Sequence, residues 1–222
     1  MGTLAREMLQ RNGEYLCGLA RTADRENQIV ASLDEVFERG PDVLLDLTTQ
    51  PGSYEISLAS VSRGVPTVVG ASGWTQEQRA ALAAAASERN VGALIVPNFS
   101  IGAVLMMRFA NEAARFFPDC EIVELHHAAK KDKPSGTARE TALRIDQVSG
   151  REPPIHSVRL PGLLAHQEVI FGGPGELLTM RHDSMTRDSF VHGMEAAIHA
   201  VTQMRGLVVG LDAVLDGTIG DT

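Results

Sequence analysis

The chain has 222 residues, 44% of them apolar and 22% charged, and a formal net charge of −8. That length allows one large domain or two modest ones, and the acidic balance argues against a nucleic-acid partner, which would need a basic face. No apolar run reaches membrane-spanning length, the first residues carry no signal-peptide core, and Arg6 stands where a myristoylation motif needs Ser or Thr, so the expectation is a cytoplasmic protein with no membrane partner.

In chain order, Thr3 to Arg11 reads as a short helix stopped near Gly13, and Tyr15 to Ala20 as an apolar strand. Ser32-Leu33-Asp34-Glu35 is a capping box opening a helix that stops at Gly40-Pro41. The strand Asp42 to Leu47 and a helix from Tyr54 to Arg63 follow, then the strand Thr67 to Gly70. Thr75 to Gln78 forms a second capping box for an Ala-rich helix to about Arg89, and Ala93 to Val96 is the next strand. Short, continuously apolar strands separated by helices predict a parallel sheet covered on both faces, the doubly wound α/β pattern.

After Phe99 the pattern changes. Ile101, Val104, Leu105, Phe109, Ala113 and Phe116 lie at helical spacing and predict one helix with an apolar stripe. Glu121 to Leu125 is a strand and Pro134 to about Ile145 a helix. Two strands follow, Gln167 to Phe171 and Leu177 to Asp183, with Gly172-Gly173-Pro174-Gly175 between them as a hairpin turn. Phe190 to Met204 is a final helix, apolar at Val191, Met194, Ile198 and Val201. The expected domains are residues 1–99 with 188–222, the dinucleotide-binding part, and 100–187, an α+β substrate-binding part with an open mixed sheet. Cys17 and Cys120 sit in apolar runs without CxxC spacing, and buried free thiols are expected.

Chemistry concentrates in Glu124 to Ala138. Two histidines and three lysines fall between His126 and Lys133, at a strand end and in the loop feeding the next helix. A metal site is not expected, because adjacent strand residues point to opposite faces and no further His or Cys stands at ligand spacing. Pro134-Ser135-Gly136-Thr137 suits a helix start whose backbone N–H groups face an anion beside Lys130. A histidine titrating near neutral pH beside a lysine is a plausible general acid for a carbanion-like or enamine carbon.

The run Glu124 to Ala138 resembles the signature of the dihydrodipicolinate reductase family. Val69 to Trp74 is similar to that family's strand-end loop near the nicotinamide, Pro97 to Gly102 to its interdomain hinge, and Leu160 to Gly162, His166 to Gly172 and Arg181 to Ser184 to its later strands. The resemblance implies hydride transfer from NADPH or NADH to a six-membered cyclic dicarboxylate, on the diaminopimelate route to lysine, in a homotetramer built on the second-domain sheet. It implies His126 as general acid and Lys130 as its partner at the reacting carbon. It places His127, Ser135, Gly136 and Thr137 around the substrate carboxylates, and Gly70, Ala71 and Ser72 with Val96, Pro97, Asn98 and Phe99 along the cofactor.

Two departures from the family pattern carry expectations of their own. The family opens with a strand and a glycine-rich turn, whereas only Met1-Gly2 matches the end of that turn, with Gly2 left to meet the cofactor. A Rossmann-like domain lacking its first strand is therefore expected, with a gap or a closure between Tyr15–Ala20 and Val43–Leu47, and weak cofactor binding by these 222 residues. A start placed about a dozen residues late accounts for this; the alternative is a non-enzymatic dicarboxylate-binding or assembly subunit, and upstream coding sequence separates the two. Ala20 replaces the acidic residue that takes a ribose 2′-OH, and Arg21 can meet a 2′-phosphate, so NADPH is expected over NADH.

Overall fold

A computed structural model describes residues 1–217. The chain opens with α1 (Gly2–Asn12), β1 (Gly18–Leu19), β2 (Ile29–Val30), α2 (Leu33–Glu38), β3 (Leu44–Asp46), α3 (Gly52–Ser62), β4 (Thr67–Val69), α4 (Gln76–Arg89) and β5 (Gly92–Ile95). It continues with α5 (Ile101–Ala113), β6 (Asp119–His126), α6 (Gly136–Ser149), β7 (Ile155–Arg159), β8 (Ala165–Gly173) and β9 (Glu176–Ser184). A turn of 3₁₀ helix (Arg187–Phe190) leads to α7 (Val191–Val201), β10 (Gly206–Val209) and α8 (Asp212–Leu215). Two compact units result, residues 1–99 with 190–217, and residues 100–189.

In the first unit β10, β5, β4 and β3 lie side by side, all parallel. The register pairs Asp46 with Val69, Val69 with Ile95, and Val209 with Ile95, so the loops after these strands leave the sheet at one level. β1 pairs only with β2, in a separate two-stranded ladder, and β3 is an edge. The strand expected over Tyr15–Ala20 thus narrows to two residues, and of the two expected outcomes, a gap or a closure between it and β3, the structure has the unpaired one. Local signals explain the helix ends. Gly13 takes a left-handed φ of 73° and its N–H bonds Gln10 O and Leu9 O, which ends α1. Thr75 and Gln78 make the full reciprocal box at α4, with bonds of 3.2 and 3.0 Å. The expected box at Ser32 is half made: its hydroxyl accepts from Asp34 N, the second helical residue, instead of the third.

Val61, Val69, Ala71, Trp74, Leu82, Ala86, Ala93 and Ile95 form a core under this sheet, with Tyr54 edge-on to Trp74 at 5.8 Å. α7 packs on β4, β5 and α1, burying Met194, Ala197, Ile198 and Val201. The approach is closest at Gly193. A methyl group there would collide with the carbonyl oxygen of Phe99 and lie 3.2 Å from Leu211 Cδ2. Because the opposing atom is backbone and cannot rotate away, Gly193→Ala is expected to lower stability by about 1–3 kcal/mol. Thermal unfolding checks this; an unchanged midpoint would mean that the helix has room to shift.

In the second unit the sheet order is β7-β6-β8-β9, with β6 and β7 parallel and the other pairs antiparallel. α5 and α6 cover one face through Met106, Ala110, Ala142 and Ile145 against Ile122, Val169 and Phe171. The β8–β9 connection is the expected hairpin, closing through Pro174 and Gly175, whose φ is 82°. Three expectations change in detail. Within α5, Val104 and Ala113 are buried but Phe109 is 59% exposed, and Phe116, beyond the helix end, is 73% exposed. Ala103, Ala110 and the two methionines fill the contact instead. α6 starts two residues after Pro134, because Ser135 is its N-cap, and it runs on to Ser149. The two cysteines are free but only partly buried, and burial with the nearby Glu121 carboxylate pushes the Cys120 thiol up to about 12.

Candidate functional site

The cluster expected between Glu124 and Ala138 is assembled around a buried carboxylate. Strand alternation turns Ile122 and Glu124 of β6 toward the helix-covered face, and Glu124 is fully buried there. A lone carboxylate in that position is costly unless its oxygens are filled. They are filled from three elements. Arg159, the last residue of β7, donates a fork, Nη2 to Oε1 at 2.7 Å and Nη1 to Oε2 at 2.9 Å. The Ser135 amide, at the start of α6, donates to Oε1 at 3.3 Å. His126 Nδ1, two residues along β6, bonds Oε2. Burial raises the Glu124 pKa, but the bonds from Arg159, Ser157 and His126 outweigh it and hold the group ionised below its usual range.

An ionised carboxylate only accepts hydrogen bonds, so His126 Nδ1 carries a proton. Its Nε2 has no partner among the described residues, which leaves that nitrogen for a reacting atom. Burial lowers the His126 pKa most, Glu124 raises it, and the charges of Lys130 and Arg159 lower it further; the net direction is down. His166 makes a contrast. Its Nδ1 bonds Asp183 Oδ1 at 2.6 Å and its Nε2 accepts from the Leu164 amide at 3.3 Å, so both nitrogens are used within the fold.

The other expected substrate residues surround the same turn. Lys130 pairs with Asp132 at 2.8 Å, and Asp132 O accepts from Arg159 Nη2 at 2.8 Å. His127 is exposed beside them. Ser135 is 2% exposed, and its hydroxyl caps α6 by accepting from Ala138 N at 3.1 Å, so it builds the turn. Gly136 is exposed, and a side chain there would meet nothing within 4 Å, so the positive end of α6 is open to an anion. Behind it Gln167 Nε2 bonds Thr141 Oγ1, which bonds Thr137 O, each at 2.8 Å, and this fixes the first helical turn against β8.

Glu124 lies within the Glu124–Ala138 run, but the sequence alone marks neither it nor Arg159 or Gln167 as functional. The available signal was Glu124 itself, an acid two residues before His126 on one strand face. Arg159 gave none, since only the register that sets it opposite His126 brings it in. Among the described residues, no group of three or more His, Cys, Asp and Glu could hold a metal.

In the first unit the expected cofactor residues lie at the carboxyl ends of β4 and β5, where open α/β sheets bind ligands. The backbone at Gly70 is as close as glycine permits: a Cβ would lie 2.8 Å from both Leu47 Cδ2 and Phe99 Cε2. Ala71, Val96 and Phe99 are buried while Ser72 and Pro97 are exposed, and Asn98 lies between these extremes. Gln50, after β3, was not expected. Both atoms of its amide are buried without a partner, beside Gly73, and so is Trp74 Nε1. Orphaned amide atoms at this sheet end fit a polar nucleotide. Gly2 opens α1, and Arg21 is exposed just past β1.

Family models described as dihydrodipicolinate reductase, N-terminus, and dihydrodipicolinate reductase, C-terminus, match residues 2–99 and 102–215. A 4-hydroxy-tetrahydrodipicolinate reductase of Bacillus cereus is 46% identical over 206 residues, covering 83% of this chain and 76% of the relative. One of Bacillus thuringiensis is 42% identical, covering 93% and 86%. A solved structure, dipicolinate-bound dihydrodipicolinate reductase from Paenisporosarcina sp. TG-14, superposes with a TM-score of 0.84 at 36% identity, over 95% of this chain and 94% of the other. An amine dehydrogenase from Mycobacterium smegmatis, TM-score 0.70 at 13% identity, shares the fold alone.

Proposed function

The chain belongs to the dihydrodipicolinate reductase family of NAD(P)H-dependent oxidoreductases, and from that premise we propose which of its residues carry the reduction of 4-hydroxy-tetrahydrodipicolinate. The observation that supports the assignment most directly is His126, tied through Nδ1 to an ionised Glu124 and free at Nε2, beside Lys130 and the open end of α6.

The substrate is a dianion. Gly136 and Thr137 at the helix start, with His127 and Lys130, bind its carboxylates, and Ser135 holds the turn in place. His126 delivers a proton from Nε2 to the reacting carbon, and Lys130 lends positive charge as electron density builds there. The 4-hydroxyl leaves as water with a proton from the neighbouring carbon; a reduced nicotinamide, when bound, would supply hydride to the carbon the hydroxyl vacates, and the proton from His126 goes to the neighbouring carbon. Gly70, Ala71 and Ser72, with Val96 to Phe99, line that cofactor, and Gly2 lies where the pyrophosphate approaches α1. Dipicolinate, the molecule bound in the Paenisporosarcina relative, tests the substrate half without turnover. Calorimetry is expected to show binding that weakens in Lys130→Ala. Absence of binding, together with no nucleotide oxidation by a chain that carries the glycine-rich turn in the presence of the cyclic substrate, would sink the assignment.

The cofactor preference rests on Arg21, which is exposed just past β1. Opposite a 2′-phosphate it forms a surface ion pair, contributing on the order of 0.5–1 kcal/mol. In a chain that carries the glycine-rich turn, Arg21→Ala is expected to weaken NADPH roughly two- to fivefold and to leave NADH unchanged. Fluorescence titration with both nucleotides decides this; an equal loss for both would remove the 2′-phosphate role. The homotetramer is assigned to the sheet face opposite α5 and α6, where Val123, Leu125, Val158 and Ile170 alternate with the core residues and Leu177 is 75% exposed.

A further inference from the structure

We infer that Glu124, clamped by Arg159, is a positioning residue: it holds His126 in the form protonated at Nδ1, so that Nε2 alone exchanges the catalytic proton, and its charge balances the imidazolium each time that form appears. The inference rests on the reading of His126 as the proton donor and adds to it which nitrogen acts and what fixes it.

The geometry makes Glu124 a fixed anchor for the imidazole. It is fully buried and, besides Ser157, four donors converge on its two oxygens, two from Arg159, one from the Ser135 amide and one from His126. Three of these belong to the scaffold, so the carboxylate cannot follow a moving side chain; the imidazole must orient to it. Arg159 is itself fixed. Its Nη1 also donates to Val158 O at 2.7 Å and its Nη2 to Asp132 O at 2.8 Å, which binds the Lys130 turn to the same anchor. One buried ion pair thereby sets the strand end, the turn and the start of α6 relative to each other. A purely structural pair would not need His126 as a ligand, since the fork and one amide already occupy both oxygens.

The charged groups acting on His126 are Glu124 on its own strand, Arg159 on β7 and Lys130 in the turn. Of these only Glu124 favours the imidazolium. Its removal therefore lowers the pH at which the acid form is lost.

The test reads the tautomer directly. Nitrogen NMR of the histidine-labelled protein, above the His126 titration, is expected to show the proton on Nδ1, which is the minor form in free imidazole. In Glu124→Gln the proton should redistribute toward Nε2. Turnover should fall by roughly 10²-fold or more with KM little changed, approaching the loss expected for His126 itself. The limb on which kcat/KM falls with rising pH should move to lower pH, and Glu124→Asp should restore it in part. A wild-type protein with the proton on Nε2 overturns the inference, as does Glu124→Gln with wild-type turnover and pH limb. If Glu124→Gln does not fold, the wild-type tautomer decides alone. Because that measurement needs no turnover, its failure is separable from a failure of the His126 role, which His126→Gln reads.

Discussion

In a chain that carries the glycine-rich turn, His126→Gln is expected to lower turnover roughly 10²- to 10⁴-fold while the dicarboxylate still binds. The two effects separate because the groups are different. Carboxylate binding falls to Lys130, His127 and the start of α6, whereas His126 meets the reacting carbon. Glutamine still fills the space and can donate to Glu124, so the buried carboxylate is not orphaned and the fold survives. What is lost is a proton that can leave. The pH dependence follows with a definite sign. Burial first, then the charges of Lys130 and Arg159, hold the His126 pKa below 6.5 against the pull of Glu124. The acid form of the free protein is therefore abundant only at lower pH, and kcat/KM is expected to fall as pH rises through that lowered value. A bound dianion adds negative charge beside the imidazole and raises its pKa, so the corresponding limb of kcat should lie at higher pH. Turnover and pH-rate profiles of the wild type and variant check both statements. Near-normal turnover in the variant, or limbs of kcat and kcat/KM that coincide, would remove His126 as the acid.

Much of this was legible in the sequence where a local signal sufficed. α4 was read from Thr75 and Gln78, and the β8–β9 hairpin from its glycines, because caps and turns are decided by a few neighbouring residues. The doubly wound sheet was visible as apolar runs of strand length. Elements that depend on distant pairing were not. Ile155–Arg159 follows two prolines and mixes His, Ser and Arg among apolar residues, so it carries no strand signature; it is a strand because β6 lies beside it. Ile29–Val30 is too short to register. Phe109 misled for a related reason. Helical spacing predicts a face but not the neighbour, and α6 packs close enough to take Ala110 and Ala113 in place of a ring. The site divides in the same way. His126, Lys130 and the Pro-Ser-Gly-Thr run are contiguous and were recognised, while Arg159 and Gln50 enter only through the fold, one by strand register and one by the meeting of two strand-end loops.

Arg159→Met is expected to lower stability by about 3–5 kcal/mol, the range for removing one partner of a buried ion pair. The side chains of Arg159 and Glu124 are 6% and 0% exposed, so water cannot replace the guanidinium. Methionine fills the volume and packs, which confines the effect to the charge. For a chain of this size the loss corresponds to a fall in Tm of roughly 6–20 °C. The sign of its pH dependence discriminates it from a packing defect. In the wild type, burial raises the Glu124 pKa but Arg159, Ser157 and His126 more than offset this, so the folded value lies below the unfolded one. Glu124 then contributes stability that is present above the unfolded pKa and lost as pH falls through the folded pKa. Without Arg159 the burial contribution dominates and the folded value rises above the unfolded one. The variant instead favours protonated Glu124, and loses stability as pH rises through that raised pKa. The gap between wild type and variant is therefore expected to be wider at pH 8 than at pH 5. Thermal unfolding at the two pH values measures it. A gap of equal size at both would mean that Glu124 keeps its charge without Arg159, and that Ser135 and His126 suffice to hold it.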